Sequence, residues 1–230
     1  MKEWTDKGFV AIAPDFSAQF AADEKDRLKK NPLGGPIGYG SVADFKEESS
    51  WLYFGVASAF SALDVLCADS FVDQTKLFVQ GISWGGFLAL AYAAFDSRLR
   101  ALSVIYSSAF ISDSEWGKNR GLKDFSAAEL NDYNARIDPQ SYLHQIGIPM
   151  LFSAGTDDGA FTVNNRKRTS DRVAGEKVFS YRLSFPHGAR FGMVSAGERL
   201  FLSCGGRGAS CFSACAVERR RIYFMGRCRL

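Results

Sequence analysis

The sequence predicts an α/β fold, a mostly parallel sheet covered by helices on both faces, and two observations carry that expectation. Short apolar runs that read as buried strands recur at residues 9–13, 76–80, 101–106 and 149–154, with helical patterns between them. That alternation is the mark of parallel strands joined by crossover helices. The second observation is the segment KLFVQGISWGGFLALAYAA at residues 76–94, which places a strand, a glycine-flanked serine and an apolar helix in direct succession. A chain of 230 residues that is 47% hydrophobic has apolar material for one sizeable core.

In chain order, FVAIA at residues 9–13 runs into Pro14-Asp15, as a buried strand followed by a loop at its carboxyl end does. Residues 21–40 are charged and then rich in glycine and proline (NPLGGPIGYG), which predicts a surface loop. Residues 50–67 carry apolar side chains too densely for a one-faced exposed helix, so they read as a buried helix delivering the chain to the strand at 76–80. ALSVIY at 101–106 and PMLFSA at 149–154 are further buried strands, and VFSYRL at 178–183 alternates as a strand nearer an edge does. Between the strands at Tyr106 and Met150 lies a polar stretch with a capping-box pattern, Ser126 followed by Glu129 ahead of Leu130. Such an insertion is expected over the carboxyl edge of the sheet, where open α/β sheets hold ligands.

Past Gly197 the character changes. The stretch LFLSCGGRGASCFSACAVERRRIYFMGRCRL has no clear periodicity, which divides the chain into a domain over 1–197 and an atypical Cys/Arg-rich tail over 198–230. Two readings of that tail stay open, a mobile basic extension and the product of a shifted reading frame. Cys204, Cys211, Cys215 and Cys228 match no zinc spacing, so these thiols and Cys67 read as structural or incidental, and neither a metal nor a cofactor is expected. The formal charge of +3 comes largely from Arg219, Arg220, Arg221, Arg227 and Arg229, which argues against nucleic acid as a partner. No apolar run reaches membrane-spanning length and MKEWTDKGF is not a secretory leader, so the expectation is a cytoplasmic chain without a membrane partner. Oligomeric state is not legible.

The chemistry centres on Ser83. In Gly81-Ile82-Ser83-Trp84-Gly85-Gly86 the glycines answer a steric need, because a turn that lifts a hydroxyl out of the sheet leaves no room for neighbouring Cβ atoms. A serine hydroxyl is a poor nucleophile without a base. Of the two histidines, His144 precedes the strand at 149–154 and so belongs at the wrong end of the sheet, whereas His187, in FPHG, follows the last strand. His187 is therefore the expected base. Asp157 and Asp158 both follow PMLFSA, and Asp158 is preferred as the carboxylate that orients His187, with Asp157 solvated or capping the helix that starts near Thr162. The order Ser83, Asp158, His187 suits successive strands of such a sheet, and the Trp84 N–H is the expected oxyanion donor.

Several further residues carry a family resemblance: VAIAPDF at 10–16, Val72-Asp73 ahead of the elbow, Asp138-Pro139 with Tyr142 and Ile146 ahead of IPMLFSAGTDD, and the histidine of FPHG. Over roughly residues 9–188 the chain resembles the α/β-hydrolases, in the branch of the prolyl-oligopeptidase-like and acetyl-xylan-esterase-like (dienelactone-hydrolase-like) enzymes. The resemblance implies a serine hydrolase acting through an acyl-serine intermediate on a small-molecule ester or a short peptide, with a carboxylic ester as the first expectation. A prolyl-oligopeptidase-type peptidase and a weak or inactive binding protein of the same fold are the alternatives. It also implies strands ahead of VAIAPDF and a second oxyanion donor from the loop after one of them. Neither is found in this chain, which therefore reads as truncated at its amino terminus, and the missing part could have carried a signal. Trp116 and Phe125 are expected to shape the acyl or alcohol site.

Overall fold

A computed structural model describes residues 2–14, 50–188 and 222–228. The loop expected at 21–40, the boundary expected at 197/198, and Cys204, Cys211 and Cys215 lie outside the described residues.

Helix α1 (Lys2–Thr5) leads into strand β1 (Phe9–Ile12), and α2 (Trp51–Ala68) starts where the Ser50 hydroxyl accepts the Tyr53 N–H at 3.3 Å. Strand β2 (Val72–Ile82) is followed at once by α3 (Trp84–Ala93), every residue of which is buried, and then by β3 (Leu99–Ile105). The insertion that follows holds the short α4 (Glu115–Lys118), capped by Ser114, and α5 (Ala127–Arg136). The expected capping box forms at α5: the Ser126 N–H donates to Glu129 at 2.8 Å while the Ser126 hydroxyl accepts the Glu129 N–H at 3.3 Å. Strand β4 (Met150–Asp157), α6 (Val163–Arg172), capped by Thr162, strand β5 (Lys177–Pro186) and strand β6 (Ile222–Cys228) complete the described chain.

The sheet order is β1-β6-β2-β3-β4-β5, parallel from β2 through β5. The two-residue period of the strands divides their apolar side chains between two faces. Leu77, Val79, Leu102, Val104, Met150 and Phe152 pack with the buried faces of α2 and α3. Phe78, Ala101, Ile105, Leu151 and Ala154 point the other way, into a second cluster with Trp4 of α1 and Phe9. Strand β5 is the edge its alternation predicts, with Leu183 82% exposed. No helix of the described residues is long and apolar enough to cross a membrane.

Part of the tail, whose sequence has no clear periodicity, forms a strand. Residues 222–228 pair antiparallel with β1 on one side and β2 on the other, Val10 opposite Gly226 and Val79 opposite Phe224, so the last strand in sequence lies inside the sheet. Its partners are more than a hundred residues away, and no local pattern announces such a pairing.

Asp138, expected ahead of the fourth strand, organises the insertion. Its fully buried carboxylate accepts the N–H groups of Phe110 at 3.0 Å, Ile111 at 2.8 Å and Gln140 at 2.9 Å. Burial pushes this carboxyl up to about 6 against the pull of those bonds. The folded state therefore holds the Asp138 proton more tightly than the unfolded chain, where an aspartate titrates near ~4. The stability from this group is fully present below about pH 4 and falls as pH rises to about 6. The urea midpoint of the wild type minus that of Asp138→Asn is accordingly expected to grow as pH is lowered through that window. A pH-independent difference would contradict a raised carboxyl. Asp138→Ala leaves the buried N–H groups of Phe110 and Ile111 and the half-buried one of Gln140 without their acceptor, and is expected to cost about 3 kcal/mol or more.

Candidate active site

Strand β2 ends at Ile82 and α3 begins at Trp84, so a single residue makes the reversal. Ser83 takes it up at φ 57° and ψ −120°, outside the regions an L-residue favours. The Ser83 N–H donates to the Ile105 carbonyl at 2.8 Å, and the Ser83 carbonyl accepts from Gly86 and Phe87, which pins the turn to β3 and to the first turn of α3. The glycine requirement falls on two positions. A Cβ at Gly81 would stand 2.1 Å from the Gly85 carbonyl oxygen, and one at Gly86 would stand 2.5 Å from the Ser107 Cβ.

The structure brings Ser83, His187 and Asp158 together. Ser83 Oγ is 2.9 Å from His187 Nε2, and His187 Nδ1 is 3.0 Å from Asp158 Oδ1. An ionised carboxylate only accepts, so Nδ1 carries the proton toward Asp158 and Nε2 is left as the acceptor of the Ser83 hydroxyl. His144 is exposed on a turn (Leu143–Gln145) ahead of β4, at the amino edge of parallel strands whose carboxyl edge carries the elbow. Asp157 is exposed, while Asp158 is buried. Helix α6 takes its cap from Thr162 rather than from Asp157.

Asp158 is held from every side. Its Oδ1 accepts the N–H groups of Ala160 and Phe161, each at 3.0 Å, and its Oδ2 accepts from Arg166 Nη1 at 3.1 Å. Arg166, with a side chain 1% exposed, also donates to the Gly155 carbonyl at 2.7 Å and to the Phe161 carbonyl. Sequence reasoning missed this residue. In VNNRKRTSDR it is one cation among several, and Lys167 beside it is solvent-exposed and pairs with Asp171.

A pocket of about 120 Å³ opens over these groups, lined by Ser83, His187 and the aromatic side chains of Trp84, Trp116, Tyr106 and Phe161, with Arg120 beside them. Trp116 is where the sequence expects a pocket wall, its ring 5.0 Å from that of Trp84. Phe125 packs on Tyr133 instead and does not line the pocket. Burial, and then the charge of Asp158, raise the Tyr106 phenol, which keeps it a neutral donor beside His187. The Trp84 N–H stands at the amino end of α3, where the helix dipole favours negative charge.

Comparison with known proteins bears on the fold and the family. The fold is shared with two acetyl xylan esterases. The enzyme from Paenibacillus sp. R4 has a TM-score of 0.63 at 20% identity, with 81% of this chain and 63% of that chain covered. Acetyl xylan esterase 1 from Thermoanaerobacterium sp. JW/SL YS485 has a TM-score of 0.57 at 18% identity, covering 73% and 58%. A puromycin-hydrolyzing peptidase of Mycobacterium tuberculosis has a TM-score of 0.55 at 19% identity, covering 65% of this chain and 24% of that one. The aligned part thus spans about three fifths of either esterase. No curated protein sequence matches the chain. The sequence profile of the acetyl xylan esterases (AXE1) matches residues 1–148, more than half of the chain and including Ser83. The sheet and the strained serine turn fit that match, and the chain belongs to the acetyl xylan esterase family.

Proposed function

We propose that this protein is a serine carboxylic-ester hydrolase with Ser83 as nucleophile, His187 as proton carrier and Asp158 as the group that orients His187. The observation that carries the reading is the hydrogen-bonded chain from Ser83 Oγ through both nitrogens of His187 to Asp158. As the Ser83 oxygen bonds to the ester carbonyl carbon, its proton passes to His187 Nε2, and the carbonyl oxygen takes up negative charge facing the Trp84 N–H. Collapse of that intermediate breaks the bond to the alcohol oxygen, which leaves with the proton from His187. Water then attacks the acyl-serine, giving a proton to His187, and the acid is released as Ser83 recovers it.

The size of the pocket favours a short acyl group. At about 120 Å³ it is well below the ~300 Å³ at which pockets for drug-sized ligands begin, and bulky rings close its walls. An acetyl or similarly short ester is the substrate class this reading selects.

A fluorophosphonate probe tests the nucleophile. Wild type is expected to label and Ser83→Ala not to, and equal labelling overturns the assignment. A series of p-nitrophenyl esters from acetate to octanoate, with an aminoacyl anilide alongside, tests the bond and the acyl length. Falling kcat/KM with chain length supports the short-ester reading, and faster cleavage of the anilide would replace it with a peptidase.

A further inference from the structure

Among the described residues that line the pocket over Ser83 is a charged side chain that the acyl-transfer chemistry does not use. Arg120 is the permanently charged residue among the described residues that line it, and no carboxylate is among those residues. The guanidinium carbon sits 4.8 Å from the centroid of the Trp116 ring. Trp116 in turn contacts Trp84, the residue after the nucleophile, and its ring lies stacked 6.4 Å from that of Phe161. Arg120 therefore rests on an aromatic wall that runs continuously to the reaction centre.

No carboxylate among the described residues pairs with Arg120, although the segment that carries it is rich in charge. Glu115 is held by Lys118 at 2.8 Å, and Asp113 is held by Arg168. A cation that lies over an indole face is attracted by the ring while its N–H donors at the rim remain able to bind a carboxylate in bidentate fashion. A carboxylate on the substrate would supply what the protein does not. Arg120 is exposed at the pocket, so this pairing needs no burial of an uncompensated charge.

We infer that Arg120 is a specificity-determining residue, and that the preferred substrate is a short-chain ester bearing a carboxylate a few atoms from the scissile carbonyl. This rests on the ester-hydrolase reading of the same pocket and narrows it from short esters in general to anionic ones. The carboxylate docks on Arg120 along the Trp116 wall while the acyl carbon faces Ser83. A neutral ester of the same shape fills the same space without that ion pair.

The test compares phenyl acetate with 3- and 4-acetoxybenzoate, which differ from it by the carboxylate alone. In wild type, kcat/KM is expected to favour at least one acetoxybenzoate, and Arg120→Glu is expected to lower that preference about tenfold to a hundredfold, the size of a hydrogen bond to a charged group. Arg120→Lys is expected to retain part of it. A preference that is the same in wild type and Arg120→Glu overturns the inference. A second measurement is independent of turnover: benzoate binding to Ser83→Ala, read by quenching of tryptophan fluorescence, repeated in Ser83→Ala/Arg120→Glu. If no ester is hydrolysed while benzoate binding depends on Arg120, the hydrolase reading falls and the anion site stands. Benzoate binding that ignores Arg120 removes the site whatever the esters do.

Discussion

Ser83→Gly is expected to abolish ester hydrolysis and at the same time to make the protein more stable. The loss of turnover follows from removing the hydroxyl, and a fall of about 10⁴-fold or more in kcat is the scale for a missing serine nucleophile. The gain follows from the backbone. Ser83 is held at φ 57° and ψ −120°, where a Cβ is unfavourable by roughly 1 to 3 kcal/mol, and glycine has no such cost. Glycine also loosens the unfolded chain, which returns about 0.4 to 1 kcal/mol, so the net expectation is a stabilisation of about 1 kcal/mol. Ser83→Ala separates the two effects, because it loses the hydroxyl and keeps the strain. In urea denaturation the order of midpoints is expected to be glycine above alanine. The reverse order would mean that the turn is relaxed.

Arg166→Met is expected to have the largest effect on stability and to lower kcat. The Arg166 and Asp158 side chains are 1% and 0% exposed, so removing the cation leaves a buried carboxylate facing only neutral donors and His187. Breaking such a pair on one side costs about 3 to 5 kcal/mol. The effect on rate follows from position. Without the Arg166 donor the Asp158 carboxylate is held less firmly against His187 Nδ1, so kcat is expected to fall with KM little changed. Arg166→Lys keeps the charge but loses part of the fork that also binds the Gly155 and Phe161 carbonyls, so it is expected to be less stable than wild type and to keep part of kcat. If both variants lose stability and neither lowers kcat, Arg166 supports the loop without acting on His187.

Much of this site can be read from residue order. Gly81, Ser83 and Gly86 specify the elbow, because only glycines fit where carbonyl oxygens and Ser107 press on the turn. The strand ends placed His187 at the rim that Ser83 occupies and His144 at the other. The Ser126 and Glu129 box was legible for the same reason, since each of its bonds spans three residues. Arg166 and Arg120 were not legible. Each is a basic residue in a segment with other bases, and whether such a side chain is solvated, buried against an acid or stacked on a ring depends on neighbours supplied from elsewhere in the chain.

The sequence by itself determined the alternation of strands and helices, the serine turn and the order of nucleophile, acid and base, because periodicity, glycine sterics and caps act within a few residues. Tertiary structure decided between Asp157 and Asp158, which the sequence preferred, and it alone sealed Arg166 behind Asp158 and set β6 between β1 and β2. These depend on which groups are withdrawn from water together and which strand edges meet. Desolvation and long-range pairing are properties of the assembled fold, and no short stretch of chain encodes them.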